Sequence, residues 1–200
     1  MPVLGLTGGI AVGKSTFSSI FLKVYPAAFY DSDRSVHALL ADDPDVHKEI
    51  LKAFGESVCD SLGMPDRKLL RDRVYSDPKA RTRLEGIIHP RIRQQWMSLA
   101  EQTRKEGGSV LMDIPLLYET NVAASFDSVI VLACTRETQM QRLTTERGLE
   151  PNLAETIIAA QLDLRIKIQN ADHIIWNDST VSNLDGQARL LAACLHQRFA

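Results

Sequence analysis

Gly8-Gly-Ile-Ala-Val-Gly13-Lys14-Ser15 follows an apolar run, Val3-Leu-Gly-Leu-Thr7, and opens an amphipathic stretch that runs from Lys14 to Val24. The pattern G-x-x-x-x-G-K-S/T between a strand and a helix is that of a phosphate-binding loop. Its glycines let backbone N–H groups close on phosphate oxygens, and the start of the following helix adds the positive end of its dipole. In that arrangement Lys14 reaches the β- and γ-phosphates of ATP. The Ser15 hydroxyl is offered to Mg²⁺, and Thr16 is placed for the α-phosphate or is simply a first-turn helix residue.

Working outward, four more apolar runs read as strands: Ala27 to Asp31, Ser109 to Asp113, Ser128 to Ala133, and Asp172 to Trp176. Those in the middle of the chain are continuously apolar, as strands covered on both faces are. Strands that alternate with helices imply an α/β fold built on a doubly covered parallel sheet, here of the P-loop NTPase type. The core of that fold is expected from residues 1–35, 108–135 and 168–200. Between Ser32 and Gly108 no strand pattern appears, and the helices are punctuated by Pro44, Pro65, Pro78 and Pro90. Residues 36–107 therefore read as a helical insert that binds the second substrate. Residues 136–167 carry arginines at helical spacing, break at Gly148 and Pro151, and read as a mobile lid.

The bulk properties narrow the partners. A chain of 200 residues that is 44% hydrophobic can bury one sizeable core. A formal net charge of −2 argues against a nucleic-acid or membrane-surface role, so the expected partners are small molecules bound at a local anion site. Cys59, Cys134 and Cys194 are odd in number and form no C-x-x-C pair, which fits a reducing cytoplasm. Met1-Pro2 leads straight into a strand without a basic leader, and the longest apolar run, Val129 to Cys134, is too short for a bilayer. A soluble, unprocessed protein is the expectation.

A phosphate loop alone does not separate a kinase from a switch or a motor. The sequence after the third strand is Asp113-Ile-Pro-Leu116, where a GTPase switch needs a glycine, and no N-K-x-D tetrapeptide reads guanine. Tyr30-Asp31-Ser32-Asp33 falls at the carboxyl end of the second strand, where a parallel sheet presents its ligand crevice. Either aspartate could instead cap the following helix. Asp113 ends a buried strand. It is placed either to hold an Mg²⁺-bound water or to be satisfied by nearby backbone.

Together, Gly5 to Thr16 (GLTGGIAVGKST), Asp31-Ser-Asp33, His89-Pro-Arg-Ile-Arg93 and Asp113-Ile-Pro-Leu-Leu-Tyr-Glu119 resemble the dephospho-CoA kinase family. The resemblance continues through Glu137 to Leu143, Arg147, Ala159-Ala-Gln161 and Ala171 to Asn177, and so covers nearly the whole chain. It implies transfer of the ATP γ-phosphoryl group to the ribose 3′-hydroxyl of dephospho-CoA, the last step of coenzyme A biosynthesis. Ala11, Val12, Gly13, Lys14, Ser15 and Thr16 would bind the ATP phosphates, with Arg147 and Asn177 on the nucleotide side. Asp33, Lys14 and Arg142 would be catalytic, Asp33 facing the acceptor hydroxyl with Asp31 in support. His89, Arg93, Leu116, Leu117 and Glu119 would shape the dephospho-CoA site.

The chain departs from the family in two places. Ala11 and Val12 replace a glycine and a small polar residue, at positions that tolerate side chains, and Asp178-Ser179-Thr180 follows Asn177 where a glycine is common. Other nucleoside or nucleotide kinases, and a nucleotide-binding regulator without phosphoryl transfer, are the competing readings. No base-reading motif favours the first, and the paired aspartates count against the second.

Two smaller signals remain. Arg67 to Arg93 holds nine basic residues against three acidic ones (Asp72, Asp77, Glu85), which would suit a pyrophosphate but more commonly marks a solvated helical face. His37 lies four residues after Asp33, and His89 precedes Pro90 at an expected helix start. Neither spacing suggests a metal site.

Overall fold

A computed structural model describes residues 1–199, Ser76 by its backbone alone. Five strands, β1 (Val3–Gly8), β2 (Ala28–Asp31), β3 (Val110–Asp113), β4 (Ser128–Ala133) and β5 (His173–Trp176), form one sheet in the order β2-β3-β1-β4-β5. β1 runs parallel to β3 and β4, and β4 parallel to β5. The fold is the expected P-loop α/β type. Its helices are α1 (Lys14–Val24), α2 (Ser32–Asp42), α3 (Pro44–Phe54), α4 (Arg67–Ser76), α5 (Pro78–Lys105), α6 (Arg136–Gln141), α7 (Pro151–Ala159), α8 (Leu164–Gln169) and α9 (Val181–Arg198).

Every residue of β1 and β4 is buried, as continuous apolar strands between two helical layers must be. Alternation sends Leu4 and Leu6 of β1 into one core with Leu111, Ile130 and Leu132, under α1 and α9. Phe17, Phe21 and Tyr25 recur every four residues along α1 and stack at ring separations of 5.4 and 5.2 Å. Tyr25 then meets His196 of α9 at 4.8 Å. On the opposite face Gly5 leaves room for Leu117 and Phe126, since a Cβ there would lie 2.7 Å from Leu117 Cδ1.

The chain divides into two compact units, Met1–Tyr30 with Ala100–Ala200, and Asp31–Leu99. Within the second, local chemistry starts the helices. Asp31, Asp43 and Asp66 each accept backbone N–H groups at the N-termini of α2, α3 and α4, and Pro44 occupies the first turn of α3. Val46, Ile50, Val58 and Leu70 are buried. Arg91 binds Glu49 through two hydrogen bonds, at 2.6 and 3.3 Å, and also donates to the Ile87 carbonyl at 2.7 Å.

One expectation is corrected in this unit. His89-Pro90 does not start a helix; α5 runs through Pro90 from Pro78 to Lys105. An internal proline costs about 3 kcal/mol. Ile87, Ile88, Ile92 and Trp96 form a buried stripe across it, and each such side chain recovers roughly 1.5–3 kcal/mol on burial. Continuing the helix therefore wins.

Between β4 and β5, Thr135 caps α6 by accepting the Thr138 N–H. The chain then makes a π-helical turn over Arg142–Glu146, a widening that recurs at functional sites. Gly148, at φ +66°, and Pro151, in the first turn of α7, make the expected break.

Candidate active site

The site is built at the carboxyl end of β1. Gly8 closes the strand, and a Cβ there would meet the Leu132 carbonyl oxygen at 2.4 Å. Gly13, at φ +92°, turns the chain into α1, and a Cβ on it would stand 2.3 Å from Asn177 Nδ2. Both glycines are therefore required by geometry.

Between them the loop's carbonyls are held by side chains from one later stretch of sequence. Gly8 O accepts from Lys167 Nζ at 3.3 Å, Ile10 O from Gln139 Nε2 at 2.9 Å, Ala11 O from Arg142 Nη1 at 3.0 Å, and Val12 O from Asn177 Nδ2 at 2.8 Å. Gly13 O takes the first helical bond, from Phe17 N at 3.1 Å. In a trans peptide the carbonyl of one residue and the N–H of the next point opposite ways. Fixing the carbonyls of residues 10–13 therefore turns the N–H groups of Ala11, Val12, Gly13 and Lys14 away from those partners. The loop becomes an anion-binding nest at a helix N-terminus. Ile10 N is engaged separately, by Gln161 Oε1 at 2.8 Å.

A cavity of about 330 Å³ opens on this loop, lined by Ala11 to Thr16 together with Arg142, Glu146, Arg147, Asn177 and Ser179. Lys14 Nζ stands 4.0 Å from Asp113 Oδ1, both side chains nearly buried, and Ser15 and Thr16 are exposed in the first turn of α1. Arg142 also donates from Nη2 to the Asn177 carbonyl at 2.8 Å, so one guanidinium joins the loop to the segment after β5. Ala11 takes φ +58°, the left-handed region that glycine fills without strain.

The segment after Asn177 needs no glycine, because Asp178, Ser179 and Thr180 all keep negative φ among the described residues. Asp178 instead accepts from Thr135 N and Thr135 Oγ1, and Thr180 caps α9 through Asn183 N. Burial of the Asp178 carboxyl is outweighed by these bonds and others from Thr138 and Trp176, which hold its pKa below the usual carboxylate range. Cys134, at the end of β4, is buried, and its thiol is pushed up to about 11. It is no nucleophile at neutral pH.

The other expected residues are placed as follows. Leu116 is partly exposed, and its carbonyl closes a turn with Thr120. Leu117 is wholly buried over Gly5. Glu119 Oε1 accepts from Lys167 Nζ at 2.8 Å and from Leu162 N at 3.1 Å. In the second unit, Asp31 Oδ1 accepts the Arg34 N–H at 3.0 Å, while Asp33 lies exposed in the first turn of α2. His89 and Arg93 sit one turn apart on one face of α5, with Arg93 exposed. Of the basic residues around them, Arg73, Arg81 and Arg91 pair with Asp77, Glu85 and Glu49.

The clamp of Gln139, Gln161 and Lys167 on the loop was not assigned from sequence. Gln139 and Gln161 fall in stretches that carry the family resemblance, and Lys167 is signalled by a lysine between two isoleucines, in Arg165-Ile-Lys-Ile168.

A parallel sheet with this loop at the end of its central strand, gripped by side chains from the segment between β4 and β5, defines a P-loop kinase-type α/β protein. The sequence profile of the dephospho-CoA kinase family matches residues 2–183, and the chain belongs to that family. It is 41% identical over 197 residues to the dephospho-CoA kinase of Symbiobacterium thermophilum, covering 97% of this chain and 82% of that one. With that of Anaeromyxobacter dehalogenans it shares 39% over 197 residues, covering 96% and 92%. Among solved structures, TT1252 from Thermus thermophilus superposes with a TM-score of 0.79 at 27% identity, covering 99% and 98% of the two chains. A shikimate kinase from Acinetobacter baumannii shares the fold, with a TM-score of 0.59 at 16% identity, covering 100% and 96%.

Proposed function

We propose that the protein transfers the γ-phosphoryl group of ATP to the ribose 3′-hydroxyl of dephospho-CoA, the last step of coenzyme A biosynthesis. The observation that carries this reading is a phosphate loop with its carbonyls tied back, in a chain of the dephospho-CoA kinase family. The N–H groups of residues 11–14 bind phosphate oxygens, and Lys14 reaches the β- and γ-phosphates, where charge builds up during transfer. Arg142 and Arg147, on the wall of the same cavity, add positive charge beside the triphosphate.

Mg²⁺ suits the donor set. The Ser15 hydroxyl would ligate it and the Asp113 carboxylate, beside Lys14, would hold one of its waters, since this metal is usually held by one or two protein groups, waters and substrate phosphates. Held there, Mg²⁺ would supply charge neutralisation at the phosphates.

On the acceptor side, Asp33 orients the 3′-hydroxyl and takes its proton. The capping role of Asp31 supports the division of labour, because it leaves Asp33 as the exposed carboxylate of the pair. Residues 36–107 serve as the acceptor-binding insert, with His89 and Arg93 among the contacts. Residues 136–167 close as a lid that keeps water from competing for the phosphoryl group. The site of action is the cytoplasm; no helix among the described residues is long and apolar enough to cross a membrane.

The test is to incubate the purified protein with ATP, Mg²⁺ and a panel of dephospho-CoA, AMP, adenosine and shikimate, and to identify products by mass. Coenzyme A is the expected product, with mononucleotides poor acceptors. Robust phosphorylation of AMP with none of dephospho-CoA would overturn the proposal.

A further inference from the structure

Lys167 is the one lysine among the wholly buried side chains of the described residues. It sits on α8 on the face it shares with Leu164 and Ile168, while Ile166 beside it is exposed, so the helix buries a cation and shows an apolar residue to water. Burial pulls the pKa of its ammonium down, against the pull of Glu119, and Lys14 adds to the lowering. An apolar side chain of similar length would avoid that cost. The lysine must therefore be accounted for by what its charge and donors do.

An ammonium carries three N–H donors, and Lys167 has three acceptors. Glu119 Oε1 lies at 2.8 Å, Pro115 O at 3.0 Å and Gly8 O at 3.3 Å. Gly8 is the last residue of β1, and Pro115 lies two residues beyond β3, the parallel neighbour of β1. The ammonium thus spans the carboxyl ends of two adjacent strands, one leading into the phosphate loop and the other into the Pro115–Glu119 turn. Thr7 Oγ1 strengthens the seam by donating to the same Pro115 carbonyl at 3.0 Å. Glu119 Oε1 is occupied twice, by the ammonium and by the Leu162 N–H.

We propose that Lys167 is a positioning residue for phosphoryl transfer, fixing the Gly8 end of the phosphate loop against the Pro115–Glu119 turn. Glu119 is its counter-ion and not an acceptor contact. The proposal rests on the phosphoryl-transfer reading but not on the identity of the acceptor. Transfer depends on alignment to a fraction of an ångström, so slack at this seam lowers turnover. Nucleotide binding is spared, because Gln139, Arg142 and Asn177 still hold the carbonyls of residues 10–12.

The experiment compares Lys167→Met, Glu119→Gln and the double variant with the wild-type protein, using whichever acceptor of the panel the wild type phosphorylates. Nucleotide affinity, kcat, acceptor KM and melting temperature are measured for each. Lys167→Met is expected to lower kcat about 30-fold while ATP affinity changes less than about 3-fold. Glu119→Gln should lower kcat roughly 5- to 10-fold with acceptor KM within about 2-fold. The double variant should lose less than the product of the two single losses, since neither partner is then left unpaired. Wild-type kcat in a folded but less stable Lys167→Met protein would overturn the proposal by making the lysine purely structural. A large rise in acceptor KM with unchanged kcat in Glu119→Gln would overturn it by returning Glu119 to the acceptor site. If Lys167→Met fails to fold, the split between kcat and KM in Glu119→Gln decides.

Discussion

In the phosphate loop, the carbonyls of Gly8, Ile10, Ala11 and Val12 each accept a side-chain hydrogen bond from residues 139–177, more than a hundred positions away in sequence. In the unit spanning Asp31–Leu99, most side-chain bonds instead go to nearby helix N-termini and to exposed ion pairs such as Arg73–Asp77 and Arg81–Glu85, with Arg91–Glu49 and Arg83 to the Ala53 carbonyl as longer links. Such pairs contribute little, at most about 1 kcal/mol each. Away from Asp33, the helical unit is thus held mainly by local chemistry and an apolar stripe, and should absorb single changes as small losses of stability. The loop is over-determined from a distance, and changes there should appear in nucleotide binding and turnover.

The sharpest break of that contrast is Gly13→Ala. It forces an L side chain into φ +92° and against Asn177 Nδ2. ATP affinity, followed by calorimetry, is expected to fall by about 100-fold or more. Unchanged affinity would show that the loop is not fixed as described.

Arg142→Ala comes next. It removes two bonds from a charged donor to carbonyls, worth about 1.5–3 kcal/mol each in the favourable case. Turnover should fall about 10- to 30-fold, with dephospho-CoA affinity little changed. Loss of acceptor binding alone would move Arg142 out of the nucleotide site.

In the helical unit, Arg91→Ala tests tolerance. The loss of the two-pronged contact with Glu49 and the bond to Ile87 should lower stability by about 1–2 kcal/mol by urea denaturation, with kcat within about 2-fold. A larger effect on kcat than on stability would erase the distinction between the two regions.

The smallest expected effect is Ala11→Gly. Relief of left-handed strain, about 1 kcal/mol, is nearly offset by the greater freedom of glycine in the unfolded chain. Stability should move by less than about 0.5 kcal/mol, and ATP affinity by less than 2-fold.

The same contrast explains what could be read from the chain itself. Strands buried on both faces announce themselves as runs such as Ser128 to Ala133, and the loop announces itself by Gly8, Gly13, Lys14 and Ser15. Caps need only a few residues of context, so one of Asp31 and Asp33 was expected to cap α2, and Asp31 does. Proline punctuation misled at Pro90, where a stripe of buried side chains outweighs a missing hydrogen bond. The close packing of Leu117 on Gly5, far earlier in the chain, has no signal in the sequence around either residue. The clamp of Gln139, Gln161 and Lys167 depends on tertiary placement, which no spacing in the sequence encodes.

We propose that Asp33 faces the acceptor hydroxyl, with Asp31 serving only the fold. Asp33→Asn and Asp31→Ala, each assayed for dephospho-CoA turnover and for thermal unfolding, test it most directly. An amide at position 33 keeps the shape but cannot take a proton, so kcat should fall about 100-fold or more, with dephospho-CoA KM and melting temperature nearly unchanged. Loss of the cap at position 31 should cost about 1 kcal/mol of stability and little turnover. The reverse pattern, with Asp31 controlling kcat and Asp33 controlling stability, would contradict the assignment.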